Sequence, residues 1–268
     1  MSDFDKTTSF VNYNNNAINQ TKASDILISL LKVKGTEKII DIGCGTGTET
    51  IKLSKITSQT VLGIDASEGM IAQCNTIPNR PYNVSFKLMR LESSQFHNDF
   101  DIAFCNSVFH WFKSPKFSLK LINNLLKENG IFALQCPLKK WSPLLIEAIN
   151  NTLNTKAISK YSQYYLNPWF HLESVDDYCT LLLDNEFSEI AFAQNSKVTT
   201  KKCDNQSILN MFMSGPASAY LNPDNYNILL PNEFKDQFIN TLNQQILKLT
   251  NNKLVDVTYN RCFILAKK

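Results

Sequence analysis

One nine-residue run does more than any other stretch to limit what this chain can fold into. Ile39-Ile40-Asp41-Ile42-Gly43-Cys44-Gly45-Thr46-Gly47 reads as an apolar strand broken by a single acid, followed by glycine at every second position. A second apolar strand, Val61-Leu62-Gly63-Ile64, closes on Asp65. Glycines at a strand end let a ligand lie against bare backbone, and the next helix offers its free N–H groups. An acid closing the following strand can accept bonds from a ribose diol. The pair of features points to a cofactor containing adenosine.

The dinucleotide fingerprint G-x-G-x-x-G wants a third glycine where Thr48 stands, and here that glycine comes one residue early at Gly47. A phosphate-cradling P-loop wants a Lys after its last glycine, and Thr46-Gly47-Thr48 has none. Both pyrophosphate readings weaken, and with them an NAD-linked oxidoreductase.

The bulk properties set limits. The chain has 268 residues, 43% of them hydrophobic, enough for one α/β domain with an insertion or cap. Lys and Arg number 27 against 24 Asp and Glu, with no basic run longer than two, so no nucleic-acid partner is expected. Met1-Ser2-Asp3-Phe4-Asp5 lacks a basic and apolar leader pattern, and no apolar stretch approaches the ~18 residues of a membrane span. Seven cysteines without a C-x-x-C pair read as reduced thiols, which predicts a cytoplasmic protein, monomer or dimer, with no membrane association.

Along the chain, Ala23–Leu31 has helical apolar spacing. From residue 36 to 136 strands and helices alternate: strands at 38–42, 60–64, 83–89, 101–106 and 131–135, helices at 48–54, from the cap Ser67 to Cys74, and at 117–126, with Gly130 expected to stop the last helix. Such alternation predicts a doubly wound, mostly parallel sheet. After Pro137 the rhythm changes to helical, aromatic-rich segments. The expected division is a cofactor-binding core with an N-terminal helical arm over 1–137, a helical substrate cap over 138–182 and 204–247, and closing strands over 183–203 and 248–268.

The pattern D-x-G-x-G-x-G with its second acid resembles motif I of the class I S-adenosylmethionine-dependent methyltransferases. The resemblance implies a Rossmann-like seven-stranded sheet with a helical cap inserted before the last strands. It implies S-adenosylmethionine as cofactor, with S-adenosylhomocysteine as product. Asp41, Gly43, Cys44, Gly45 and Gly47 would hold the methionine moiety, and Asp65 with Ala66 the ribose. Met70 reads either as a cover for the adenine face or as helix core, and Cys44 equally as a small apolar filler. The family's adenine acid falls at Arg90-Leu91, a departure, since Arg accepts no hydrogen bond. Glu92 or backbone near Leu91 would take that task. Asn106, Ser107, His110 and Trp111 follow the fourth strand, beside the place of methyl transfer. His110 is either a general base or a pocket wall.

The whole chain looks similar to the trans-aconitate and malonyl-carrier-protein carboxyl methyltransferases, through Tyr13, Phe109-His110-Trp111, Ala133-Leu134-Gln135-Cys136-Pro137, Met213-Ser214-Gly215 and Tyr259-Asn260-Arg261. This implies methylation of a carboxylate on a small-molecule or carrier-bound acid, possible without a base because a carboxylate is ionised at pH 7. Tyr13, His110, Trp111, Tyr161, Tyr165, Trp169 and Arg261 form the expected substrate pocket, with no metal. Arg261, one of three arginines, would hold a substrate anion or else face solvent. The alternatives are a hydroxyl or amine acceptor with His110 as base, and a non-catalytic protein that binds S-adenosylmethionine.

Overall fold

The computed structural model describes residues 18–268, with side chains from Thr21 onward. Seven strands form one sheet in the order β3-β2-β1-β4-β5-β7-β6. They are β1 (Ile39–Ile42), β2 (Val61–Asp65), β3 (Val84–Leu88), β4 (Phe100–Asn106), β5 (Leu126–Pro137), β6 (Glu189–Cys203) and β7 (Val255–Lys267). The first five are parallel, and β7 runs antiparallel between β5 and β6. The expected doubly wound, mostly parallel sheet is therefore present. Strand order reverses between β1 and β4, so a crevice opens at their carboxyl ends.

Helices cover both faces, which is why the central strands are apolar on both sides. On β4, Ala103 and Cys105 face one cluster with Leu119, Ile122 and Leu125 of α4 (Pro115–Leu125). Ile102 and Phe104 face the other, with Leu27 of α1 (Ile18–Leu30) and Leu53 of α2 (Thr48–Ser54). Helix α3 (Glu68–Asn75) starts as expected at Ser67, whose hydroxyl accepts the Met70 N–H.

A third cluster belongs to the cap. Helices α5 (Pro143–Leu153), α6 (Ser159–Ser162), α8 (Asn205–Met213), α9 (Ala217–Tyr220) and α10 (Phe234–Thr250) gather around Phe212, Phe238 and Leu242. The far ends of β6 and β7 join it through Cys203 and Val257. Helix α7 (Val175–Leu183) was expected in the cap segment. It instead buries Tyr178 and Leu182 in the sheet's own cluster, and Ser174 and Asp177 close its start with a capping box.

Gly130 does not stop a helix. Helix α4 ends at Leu125 and the chain turns directly extended at Leu126, which pairs with Phe100. The next pairing is Ile102 with Ile131, so residues 127–130 loop out of the ladder, with Asn129 left-handed at φ 64°. A Cβ on Gly130 would lie 2.8 Å from the Lys127 carbonyl, so the glycine serves this excursion. The closing segment is one long strand, β7, and no helix among the described residues is long and apolar enough to cross a membrane.

Candidate active site

A cavity of about 620 Å³ lies where the crevice meets the cap. Its floor is the glycine turn after β1. Gly43, Gly45 and Gly47 all have positive φ, at 73°, 54° and 81°, but for different reasons. A Cβ on Gly43 would come within 2.4 Å of Val108, and one on Gly47 within 2.6 Å of Phe86. A Cβ on Gly45 would meet no protein atom within 4 Å, and Gly45 lines the cavity. Close packing demands the outer two glycines, whereas the middle one keeps space open.

Asp65 ties this turn to the next. One carboxylate oxygen accepts the Gly45 N–H at 2.9 Å and the other the Ser67 N–H at 2.8 Å. The residue lines the cavity beside Ala66, Met70, Met89 and Leu91. Arg90 and Glu92 sit on the same wall. Asp41 is set back behind the turn, 2% exposed, and accepts the Thr50 hydroxyl at 2.6 Å. Burial pushes its carboxyl up to about 8, with Glu49 and Asp65 adding to the rise.

Arg261, 4% exposed on β7, also lines the cavity. Its Nη1 donates to Ser107 Oγ at 3.0 Å and to Gln135 Oε1 at 3.3 Å, and Ser107 Oγ donates to Gln135 Oε1 at 2.7 Å. Its guanidinium lies 5.4 Å from the centre of the Tyr259 ring. Ser107 is left-handed at φ 59°, a conformation that costs a non-glycine residue roughly 1–2 kcal/mol. Its own N–H bond to the Gln135 carbonyl holds it there.

An aromatic wall lines the cavity together with Arg261. His110, 8% exposed, lies 5.3 Å from His171 with rings 25° apart, and Trp169 packs against both and against Trp111 and Trp141. The Phe170 N–H donates to the His110 carbonyl, stitching this strap to the core. Burial holds His110 well below its ordinary value, helped by His171 and Arg261, and burial lowers His171 to about 4. Both rings are neutral at pH 7.

A family model for the methyltransferase domain matches residues 33–207. The chain belongs to that family. An uncharacterized methyltransferase of Schizosaccharomyces pombe is 26% identical over 68% of this chain and 71% of its own length. The malonyl-[acyl-carrier protein] O-methyltransferase of Bacillus cereus is 31% identical over 45% of this chain and 46% of its own. The chain thus spans under half the length of that relative. Among solved structures, YcgJ from Bacillus subtilis superposes with a TM-score of 0.60 at 17% identity, over 92% of this chain and 98% of that one.

This methyltransferase uses S-adenosylmethionine, and the cavity fits the cofactor. The open space at Gly45, the acceptor at the end of β2 and the apolar cover of Met70 and Leu91 are what adenosine needs. Of the residues expected at the site, Gly43, Gly45, Asp65, Ala66, Met70, Leu91, Glu92, Ser107, His110, Trp111, Trp169 and Arg261 line the cavity. Asp41, Cys44, Gly47 and Asn106 do not. Cys44 packs with Ile71 and Cys74 behind the turn, the filler role.

Tyr161 and Tyr165 are corrected more strongly. Tyr161 sets its edge on Phe234, and Tyr165 stacks on Tyr220 at 5.0 Å, both inside the cap's own core. Helical spacing brought them to the cap without telling which face they take. Tyr13 lies outside the described residues. The cavity also gathers His171, Trp141, Tyr259 and Ser214-Gly215-Pro216, which sequence reasoning did not assign to it. The adjacent Trp169-Phe170-His171 run was the available signal for His171.

Proposed function

We propose that this methyltransferase forms a methyl ester on a carboxylate of a small acid or acyl thioester. The observation that carries the reading is the chemistry of the wall around the transfer end: a permanent cation, Arg261, beside two histidines that burial holds neutral. Arg presents a planar fork suited to a carboxylate. A histidine held well below its usual range is a weak base toward a hydroxyl or an ammonium. A carboxylate needs no deprotonation at pH 7. Two relatives support the same substrate class by name, the Bacillus cereus enzyme above and a trans-aconitate 2-methyltransferase of Deinococcus radiodurans, 27% identical over 41% of this chain and 42% of its own.

In this reading Asp65 accepts from the ribose diol, while Met70 and Leu91 cover the adenine. Glu92, on the same wall, stands in for the position where Arg90 departs from the motif. When bound, S-adenosylmethionine supplies a methyl on a cationic sulfur that an oxygen nucleophile can take directly. The chain's own work is to position and to dry the site. Arg261, fixed by Ser107 and Gln135, orients the anion, and His110, Trp111, Trp169 and His171 exclude water.

The test is a panel of mono-, di- and tricarboxylic acids and a malonyl thioester, with matched alcohols and amines, assayed for S-adenosylhomocysteine release. Turnover with acids and none with their alcohol or amine analogues is expected. Turnover confined to alcohols or amines overturns the reading.

A further inference from the structure

Asp41 is the one acid of the glycine turn that the cavity wall does not use, and its surroundings are unusual. It sits near the end of β1 directly before Ile42 and Gly43, both of which line the cavity. It is 2% exposed, and the Thr50 hydroxyl from α2 is its hydrogen-bond donor. The titratable groups that bear on it are Glu49 on α2, Asp65 at the end of β2, Cys44 in the turn and Cys105 on β4. All are acids or thiols. Lys52, which acts on Glu49, is bonded to Asp25. Among the described residues no Lys, Arg or His forms an ion pair with Asp41.

A carboxylate buried among acids, with a neutral donor and no cation, is costly in its charged form. The cofactor brings the missing charge. S-adenosylmethionine carries an ammonium, a sulfonium and a carboxylate, net positive, whereas S-adenosylhomocysteine has lost the sulfonium charge and is net neutral.

We propose that Asp41 is protonated in the free protein and gives its proton to solvent when S-adenosylmethionine binds, so that the site prefers cofactor over product more strongly as pH rises. The inference rests on the cavity being the cofactor site and is independent of the acceptor. Burial raises Asp41 to about 8, so its protonated form predominates at pH 7 in the free protein. A cation entering beside it favours the carboxylate form and releases the proton. Binding that releases a proton tightens with pH, and the effect is larger for the ligand that releases more. Asp41 would thereby act as a charge sensor that lets the neutral product leave.

The experiment is titration calorimetry of the full chain with S-adenosylmethionine and with S-adenosylhomocysteine at pH 7, in buffers of different ionisation enthalpy. The wild-type protein should release about 0.5–0.9 proton with S-adenosylmethionine and at least ~0.3 fewer with S-adenosylhomocysteine. The ratio of their affinities should rise about four- to tenfold from pH 6.5 to 8.5. Asp41→Asn, an isosteric neutral acceptor for Thr50, should abolish both effects. Thr50→Val, which removes a bond favouring the charged form, should move the rise to higher pH. Equal proton counts for the two ligands, or an Asn variant that keeps the pH-dependent ratio, overturns the proposal. Heat of S-adenosylmethionine binding with no proton released would sink this inference and leave the cofactor site standing.

Discussion

The Gly45 backbone N–H donates to the Asp65 carboxylate at 2.9 Å, so the turn that leaves space for a ligand is held by the acid that faces the same space. One residue therefore shapes the floor and offers acceptors. Asp65→Ala should weaken S-adenosylhomocysteine binding by ~1.5–3 kcal/mol, the range for hydrogen bonds to a charged group. Calorimetry reads this directly, and unchanged affinity would remove Asp65 from the ligand's contacts.

The glycines should separate in their variants. Gly45→Val should fold, at a cost of about 1–2 kcal/mol for a β-branched residue at φ 54°, and lose cofactor binding because its side chain enters the cavity. Gly43→Ala should lower stability through its overlap with Val108, in addition to any loss of binding. Thermal unfolding beside calorimetry distinguishes the two. Normal binding by Gly45→Val would make that glycine purely structural.

Acid should loosen the aromatic wall. The folded protein holds His110 and His171 below the ordinary histidine value of 6.5, so the unfolded chain binds more protons in the window beneath it. Their neutral packing is fully compatible with the fold above pH 6.5 and becomes a penalty as pH falls toward the His171 value of about 4. Asp41, raised to about 8, works in the opposite sense, its contribution fading as pH rises from its unfolded value toward 8. The histidine effect is thus isolated by comparison with a variant. His171→Gln should make the fall in unfolding free energy between pH 6.5 and 4 shallower by on the order of 1–2 kcal/mol. Parallel curves for the two proteins would contradict the neutral pair.

Arg261→Lys should keep the charge but lose the planar guanidinium whose Nη1 donates to Ser107 and Gln135. KM for a diacid should rise about tenfold or more, as expected for a charge-assisted hydrogen bond, with S-adenosylhomocysteine affinity unchanged. A changed cofactor affinity with unchanged KM would put Arg261 on the wrong side of the site.

Much of the site was legible because its floor is local. The spacing of Gly43, Gly45 and Gly47 against Asp65 fixes a strand-turn-helix whose chemistry follows from the chain itself. Thr48–Ser54 and the Ser67 cap were readable for the same reason. The cap was legible only as a change of rhythm. Tyr161, Tyr165 and Trp169 lie within nine residues, yet only Trp169 reaches the cavity, because long-range contacts with Phe234, Tyr220 and Tyr226 claim the other two. His171 joins His110 across 61 positions of sequence, a pairing no local pattern encodes. A glycine after a helix, as Gly130 looks in sequence, and a glycine in a strand excursion are alike until the pairing of Leu126 with Phe100 fixes the register.

The central claim concerns the atom that receives the methyl. Turnover with carbon-13 methyl-labelled S-adenosylmethionine over the acid, alcohol and amine panel, followed by NMR of the product before and after mild alkali, identifies that atom. The account predicts a label in a methyl ester that alkali releases as methanol, with an initial rate at saturating S-adenosylmethionine that stays flat between pH 6 and 8 and falls less than about tenfold in His110→Gln, below the 10²–10⁴ of a general base. A label on nitrogen or in an alkali-stable ether, with a thousand-fold loss in that variant, would contradict it.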